Sequence, residues 1–411
     1  MDYRLIVVIL ALLGGAYNIL LNAVKFRSLN NPTPANLTDV YDAETYEKWK
    51  KYGAEHCKVQ IVFKAIYLII TLILLLTNAY SSFANLFPSG AFMQLLAVIL
   101  LECLVNTVVS VVENYISDMK IEEKYGFNRT TMKTFVGDRI RELIIELLLS
   151  VGIASLVLVL YNALGGWMVL LFVAVMLAFT ALITFIAPIL SRIGNKFTPL
   201  EDGELKTSLV ALLTKHGYQV KAIEVMDASR RTTKLNASFS GFGKLKTIVL
   251  YDNLINAMTP NEISAVFAHE LGHGIHKHLL KRLILNLAFF TIIGLLAWLA
   301  VSVNDAYIQF GFTNGVNYGF AYILLTLALS VIQPLTNLGI NALSRKHEYQ
   351  ADKQAVQEGF GNEMITAFKK LAKGNFAHLS PSKLNVLLEY SHPPLNLRIE
   401  NVEKEIANLN K

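Results

Sequence analysis

Long runs of apolar residues separated by shorter polar stretches dominate this chain of 411 residues. Seven runs are long enough to cross a bilayer as helices, because about 20 apolar residues span its hydrocarbon core. They cover residues 5–24, 61–79, 92–112, 143–161, 168–190, 283–303 and 318–338. The first run lacks the basic leader and the small-residue cleavage site of a signal peptide, so we interpret it as a membrane span. The pattern predicts a helical protein that crosses the membrane seven times.

The composition supports a location in the membrane. Hydrophobic residues make up 54% of the chain and charged residues 17%, whereas about a quarter of a soluble chain is charged. The excess apolar surface is expected to face the lipid bilayer, and no nucleic-acid partner is expected. Cys57 and Cys103 are too few for a disulfide framework and are predicted to be unpaired thiols.

Basic residues alternate from one polar connection to the next. Lys and Arg are frequent in the first, third and fifth connections and in the C-terminal tail, and they are absent from 80–91, 162–167 and 304–317. Cytoplasmic connections carry the excess of Lys and Arg. The N-terminus is therefore predicted outside or in a lumen, and the C-terminus in the cytoplasm. The membrane would be the cell membrane of a bacterium or the endoplasmic reticulum membrane of a eukaryote.

Several polar residues fall inside or near the predicted spans. The carboxylates are Glu102, Glu113 and Glu146, and the amides are Asn78 and Asn106. Such groups are costly in lipid, so they are expected to face the protein interior or water. Lining of a hydrated chamber and hydrogen bonding between helices explain them equally well.

Two polar regions, 191–282 and 341–411, are long enough to fold outside the membrane. In the first, residues 201–216 have the pattern of a short amphipathic helix. The runs 220–225 and 247–250 resemble strands, which predicts a small sheet or a hairpin.

The sequence H-E-L-G-H, from His269 to His273, predicts a zinc site. Histidines four residues apart on a helix share one face and can bind the same Zn²⁺. Glu270 follows the first histidine, where it can accept a proton from the attacking water without being a ligand itself. One zinc ion per chain is expected.

The helix that carries this motif has a clear predicted start. Thr259 fits the N-cap, Pro260 the first helical position, and Glu262 completes a T-x-x-E capping box. The motif is therefore expected near the middle of a helix that leads toward the sixth span.

A catalytic zinc needs a third protein ligand and an open position. The metzincin pattern would place a histidine at residue 279, where this chain has Leu279. A better source is S-R-K-H-E-Y-Q-A-D, residues 344–352, in which Glu348 and Asp352 are four apart on a probable helix. One carboxylate could bind zinc while the other fixes the tautomer of a ligating histidine.

Three other histidines lie near these motifs. His276 is a possible but awkward alternative, and polar surface or supporting roles are expected for His276, His278 and His347. A transporter or receptor with a structural zinc is a further interpretation. It is disfavoured because structural zinc sites are usually closed and cysteine-rich, and no cysteine is near these motifs in the sequence.

Beyond the zinc motifs, several longer stretches carry a resemblance. They are D-V-Y-D-A-E-T-Y-E-K-W-K-K-Y (39–52), I-E-E-K-Y-G-F-N-R-T-T (121–131), L-N-A-S-F-S-G-F-G-K-L-K-T-I-V-L-Y-D-N-L (235–254) and H-P-P-L-N-L-R-I (392–399). With them the chain resembles the CAAX prenyl protease type I family of integral-membrane zinc metallopeptidases. The resemblance implies seven transmembrane helices around a large hydrated chamber, with zinc at its cytoplasmic end.

The resemblance also implies roles for individual side chains. His269, His273 and Glu348 would be the zinc ligands, Glu270 the base, Asp352 a partner of a ligand, Asn236 a substrate contact, and His392 with Arg398 a pair facing the scissile carbonyl. From the residues alone, 392–394 would be a plain loop before a helix. The stretch 236–243 could be an ordinary hairpin loop or a sheet edge on which an extended peptide lies as an added strand.

The expected protein is an all-α polytopic membrane protein with a small α+β cytoplasmic metallopeptidase portion. The expected regions are 1–190 with five spans, 191–282 with the sheet and the zinc helix, 283–340 with two spans, and 341–411 with helices and the third ligand. The expected reaction removes the C-terminal tripeptide from prenylated CAAX proteins or peptides, catalysed by a monomer. The alternative is quality-control proteolysis of membrane proteins that are not prenylated.

Overall fold

The computed structural model describes residues 1–87, 90–190, 192, 195–240 and 245–411. Its helices are α1 (Tyr3–Ser28), α2 (Ala43–Leu76), α3 (Ala79–Ala84), α4 (Ala91–Asn114), α5 (Met132–Leu164), α6 (Met168–Leu190), α7 (Glu204–Lys215), α8 (Asp252–Ala257), α9 (Pro260–Ile275), α10 (His278–Ser302), α11 (Asn304–Gln309), α12 (Tyr318–Gln357), α13 (Gly361–Gly374), α14 (Lys383–Leu388) and α15 (Leu395–Leu409). The strands are β1 (Phe197–Pro199), β2 (Gln219–Met226), β3 (Ala237–Ser240) and β4 (Leu245–Tyr251).

Six helical stretches of the described chain are long and apolar enough to cross a membrane. The fourth, Met132–Thr184, covers 53 residues, which would make a helix of about 80 Å, far longer than one bilayer crossing. The 3₁₀ turn Gly165–Trp167 divides it into α5 and α6, which pack against each other. The predicted count of seven spans is therefore consistent with the structure.

Two of the spanning helices continue well beyond the apolar runs that identify them. Helix α2 begins at Ala43, although its apolar run begins at residue 61. Helix α12 continues to Gln357, although its apolar run ends at 338, and Pro334 lies inside it without ending it. The third-ligand motif therefore lies on the same helix as the seventh span, not on a separate one after it.

The sheet has the order β1-β2-β4-β3. The predicted strands correspond to β2 and β4, which lie parallel and adjacent, so the small sheet is confirmed and the alternative of a hairpin between them is wrong. A parallel pair needs a crossover connection, and β3 within that connection pairs antiparallel with β4 at the sheet edge. Of the predicted stretch 236–243, residues 241–243 lie outside the described residues. The predicted amphipathic helix is confirmed as α7.

Helix α9 begins as predicted. The Glu262 amide donates to Thr259 Oγ1 at 3.3 Å, and the Thr259 amide donates to Glu262 Oε2 at 2.7 Å, which completes the capping box. The helix ends at Ile275, and Lys277, with φ of 54°, breaks it before α10. The H-E-L-G-H motif consequently lies in the C-terminal half of α9, not near the middle of a longer helix.

The connection after α1 forms part of the core of the cytoplasmic portion. Leu37, Val40 and Trp49 are buried in one hydrophobic cluster with residues of α7, α9 and α13. The Tyr41 hydroxyl donates to the Ala372 carbonyl at 2.9 Å. The four expected regions stay a prediction, but the first region contributes to the packing of the others.

Polar side chains within the spans form hydrogen bonds within their own helix and with neighbouring helices. Glu102 accepts hydrogen bonds from the Tyr80 hydroxyl at 2.6 Å and from Asn106 Nδ2 at 3.2 Å. Glu113 accepts one from Gln60 Nε2 at 2.9 Å. Hydrogen bonding is therefore shown for Glu102, Glu113 and Asn106, and the lining of a hydrated chamber stays a prediction.

The cysteines are free and buried, as predicted. Cys57 lies on α2 and Cys103 on α4. Each thiol packs as a small apolar side chain, so neither suggests redox or metal chemistry.

Candidate metal centre

The candidate site forms where α9 crosses α12. Gly272 allows the crossing, because a Cβ at this position would lie 3.0 Å from Ala351 Cα and 3.0 Å from Gln354 Cβ. Such a contact is shorter than packed carbon atoms normally allow. The glycine of H-E-L-G-H thus lets the two helices approach closely enough for their polar side chains to meet.

Three side chains meet at this crossing, and their ligand atoms lie within 4.8 Å of one another. The distance from His269 Nε2 to His273 Nε2 is 3.2 Å. Glu348 Oε2 lies 3.5 Å from His269 Nε2, and Glu348 Oε1 lies 3.4 Å from His273 Nε2. The structure therefore brings together the two histidines and the glutamate that the sequence proposed as ligands.

These distances fit a zinc ion. Zinc binds nitrogen and carboxylate oxygen at about 2.0–2.2 Å, and a tetrahedron of that size separates its ligand atoms by about 3.3–3.5 Å. Glu348 is buried, and among the described residues its Oε2 atom has no hydrogen-bond partner, although it lies 3.3 Å from Arg398 Nη2. A buried carboxylate is costly unless cations compensate it, and the Arg398 guanidinium is shared with Asp352.

The charges of the site also favour a divalent cation. Glu270, Glu348 and Asp352 contribute three carboxylates, and the guanidinium of Arg398 faces them. Their formal charges sum to −2, which a divalent cation would offset. Buried charges need such compensation.

Asp352 contacts the first histidine, His269, on the side of the ring away from Glu348. Its Oδ1 atom lies 2.8 Å from His269 Nδ1, and its side chain is fully buried. A carboxylate at this distance keeps the proton on Nδ1 and leaves Nε2 free to bind a metal. This geometry is the one expected from the spacing of Glu348 and Asp352.

Arg398 lies behind the ligands rather than on their open side. Its Nε and Nη2 atoms donate to the two carboxylate oxygens of Asp352, at 2.9 and 2.5 Å. Its Nη2 atom also lies 3.3 Å from Glu348 Oε2, and its guanidinium packs over the Phe368 ring. This geometry orients Asp352, and the role of Arg398 in facing the scissile carbonyl stays a prediction.

His392 lies on the open side of the site. Its Nε2 atom is 3.5 Å from Glu348 Oε1, and 62% of its side chain is exposed. It belongs to the short loop before α15, so the plain-loop interpretation describes its backbone. The side chain is nevertheless within reach of a molecule bound beside Glu348.

Glu270 and Asn236 lie toward the sheet. Glu270 is half-buried and lines a small cavity with Ala237 of β3 and with apolar residues of α9 and β4. Asn236 is exposed immediately before β3, and its carbonyl accepts a hydrogen bond from the Tyr251 amide at 3.3 Å. Because β3 is the last strand of the described sheet, one of its edges is open to an added strand.

An opening of about 330 Å³ lies on the other side of the three clustered side chains. It extends from His273 and Glu348 to the ends of α10 and α12 that enter the membrane, and to the loop of His392. Its apolar lining residues are Leu279, Leu285, Ile340 and Leu343. The opening therefore joins the clustered side chains to the parts of α10 and α12 that adjoin the predicted spans.

Electrostatic effects at the site follow from burial and the neighbouring carboxylates. Burial lowers the pKa of His273, but the hydrogen bond with Glu348 and the charges of Glu348 and Glu270 outweigh it and raise the pKa above its ordinary value. Burial likewise lowers the pKa of Arg398, while Asp352 and Glu348 raise it, so that the guanidinium stays charged.

The sequence does not predict one contact of the clustered side chains, the one between His273 and His278. The Nδ1 atoms of His278 and His273 lie 2.9 Å apart, and His278 is buried. Polar surface was one of the roles expected for His278, and that role is wrong. The missing signal is the break at Lys277, which spacing along a continuous helix does not reveal.

Comparison with known proteins decides the family. The sequence model of Peptidase family M48 matches residues 199–406, and that of the CAAX prenyl protease N-terminal region, with five membrane helices, matches residues 23–192. The chain is 30% identical to a CAAX prenyl protease 1 homolog of Dictyostelium discoideum, over 99% of this chain and 98% of that protein. This chain belongs to the CAAX prenyl protease family of M48 peptidases. The resemblance noted in the sequence is therefore confirmed.

Two further relatives agree with this assignment. CAAX prenyl protease 1 of Saccharomyces cerevisiae is 29% identical, over 89% of this chain and 87% of the yeast protein. The crystal structure of S. mikatae Ste24p matches with a TM-score of 0.90 and 26% identity, covering 98% of this chain and 99% of that one. As a CAAX prenyl protease, the chain is a multi-pass membrane metallopeptidase, and the predicted fold class is confirmed.

Proposed function

We propose that this chain is a zinc-dependent endopeptidase that removes the C-terminal tripeptide from prenylated CAAX proteins or peptides. The observation that carries the proposal is the convergence of His269, His273 and Glu348 beside an opening that leads to membrane-spanning helices. The names of the relatives support the substrate class, since they are CAAX prenyl proteases. The enzyme is proposed to act as a monomer.

One zinc ion per chain would be held by His269, His273 and Glu348, with Asp352 fixing the tautomer of His269. When bound, zinc supplies a Lewis acid that polarises the scissile carbonyl and lowers the pKa of a water molecule. Glu270 accepts the proton of the attacking water and passes it to the leaving amine.

The remaining residues would hold the peptide and the developing charge. His392 is the proposed donor to the oxyanion, because its exposed ring lies on the open side of Glu348. Arg398 supports the site through Asp352 and Glu348. Asn236 and the open edge of β3 would bind the extended peptide as an added strand.

Sidedness follows from the alternation of basic connections. A reporter protein fused after Lys411 should lie in the cytoplasm, and one fused before Met1 should lie outside or in the lumen. Protease protection of each reporter in sealed vesicles measures this directly. Detection of both reporters on the same side would contradict an odd number of spans and the cytoplasmic location of the site.

The substrate class is tested with matched peptides. A farnesylated CAAX peptide should be cut between the modified cysteine and the next residue, and 1,10-phenanthroline should stop the reaction. Burial of lipid contributes about 0.8 kcal/mol per CH₂, so shortening the prenyl group by one isoprene unit should raise KM before it lowers kcat. Mass spectrometry identifies the products, and initial rates give kcat and KM.

The control is the same peptide without the prenyl group. Equal kcat/KM for the two peptides would leave the zinc chemistry intact but would reject the prenyl specificity. That outcome would favour the alternative, proteolysis of membrane proteins that are not prenylated.

A further inference from the structure

The second zinc ligand has a hydrogen-bond partner of its own. We propose that His278 is a positioning residue that fixes the tautomer and the ring orientation of His273. The proposal rests on the proposed function, because it assumes that His273 binds zinc through Nε2. His278 would fix the tautomer of His273 as Asp352 fixes that of His269.

The geometry forms a linear chain of contacts. His273 Nε2 faces the other ligand atoms, 3.4 Å from Glu348 Oε1. On the other side of the same ring, Nδ1 lies 2.9 Å from His278 Nδ1. The Nε2 atom of His278 lies 3.0 Å from Gln350 Oε1. Each distance on the far side of His273 is that of a normal hydrogen bond.

The positions of the protons follow from the two ends of this row of hydrogen bonds. The Gln350 oxygen can only accept, so His278 carries its proton on Nε2 and presents a bare Nδ1. His273 must then donate from Nδ1, which leaves its Nε2 without a proton and able to bind a metal. The opposite arrangement would put a proton on the ligand atom itself.

The backbone is shaped to make this contact. His273 and His278 are five positions apart, and on a continuous helix such positions face different directions. Lys277 adopts a left-handed conformation, with φ of 54°, between α9 and α10. This conformation is unfavourable for a non-glycine residue and is found where the surrounding structure requires it.

Neighbouring rings hold His278 in place. The His347 ring stacks on it with centroids 3.9 Å apart and an angle of 11° between the planes. The His276 ring lies on it at 5.6 Å. With only two side-chain torsions and a stacked ring, His278 keeps the His273 ring fixed when no metal is bound. Its Nδ1 atom points at the back of His273, so it is not itself a ligand.

Three variants of the full-length protein test the proposal. His278→Phe keeps the ring and removes the acceptor. His278→Asn restores an acceptor, because its Oδ1 atom is at the same bond separation from Cβ as Nδ1 of histidine. His276→Phe is the matched control, since it changes a ring that stacks on His278 without contacting His273. Melting of the metal-free proteins in detergent checks that all three fold.

Zinc affinity is measured by chelator competition. His278→Phe should weaken zinc binding by about 10–100-fold, the usual effect of losing a partner of a ligand. His278→Asn should recover most of this loss, and His276→Phe should bind zinc as the wild type does. The Co²⁺-substituted protein should show a changed visible spectrum in His278→Phe alone.

Two outcomes would overturn the proposal. Unchanged zinc affinity and Co²⁺ spectrum in His278→Phe would mean that the contact has no influence on the metal. Equal losses in His278→Asn and His278→Phe would mean that the ring acts by packing, not by accepting a hydrogen bond. If the wild type itself binds no zinc, it is the proposed function that fails, and this result is distinct from both.

Discussion

Glu270→Gln should lower the rate of peptide cleavage by about 10²–10⁴-fold, the range by which a positioned general base contributes. The amide keeps the shape of the side chain but cannot accept the proton of the attacking water. Zinc content should not change, because Glu270 is not among the three clustered ligand atoms. Initial rates at saturating substrate, with elemental analysis of the same sample, measure both quantities.

The matched control is Glu403→Gln, which makes the same chemical change at an exposed position of α15. It should leave rate and zinc content unaltered. Activity of Glu270→Gln within about tenfold of the wild type would be too high for the loss of a general base. The proton would then have to pass through another group.

Glu348→Ala should remove most of the zinc, because it deletes the ligand that α12 supplies. Asp352→Ala should have the smaller effect of about 10–100-fold in affinity, as it disturbs only the orientation of His269. Elemental analysis after dialysis against a weak chelator ranks the two variants. Activity should follow the zinc content in both.

Gln357→Ala, at the exposed end of α12, serves as the control for changes to this helix. It should retain one zinc per chain. Full zinc occupancy in Glu348→Ala would refute the assignment of the third ligand, whatever the activity of the variant.

The sequence could predict what local patterns determine. Apolar runs located the spans, and the T-x-x-E box located the start of α9, because both depend on residues close in the chain. The spacing of His269 with His273, and of Glu348 with Asp352, identified the two helix faces that meet. That the two helices cross was only a possibility, because the sequence shows no more than that both motifs fall on the same side of the membrane.

Features that depend on contacts between distant segments could not be predicted. The pairing of β2 with β4 is parallel because of the crossover between them, which their short apolar runs do not indicate. Arg398 turns toward Asp352, a partner 46 residues away. The break at Lys277 decides between the two roles expected for His278, surface and support, and spacing rules could not do so because they assume an unbroken helix.

Helix α12 carries Glu348 at one end and the seventh span at the other, and α10 lies between the histidines and that helix along the chain. The segment that matches the M48 peptidases therefore has two membrane crossings between its second and third proposed ligands. In many membrane-bound enzymes the anchor can be cut away from a soluble catalytic domain. Here the membrane-spanning helices lie between the residues of the site, so removing them would also remove the site.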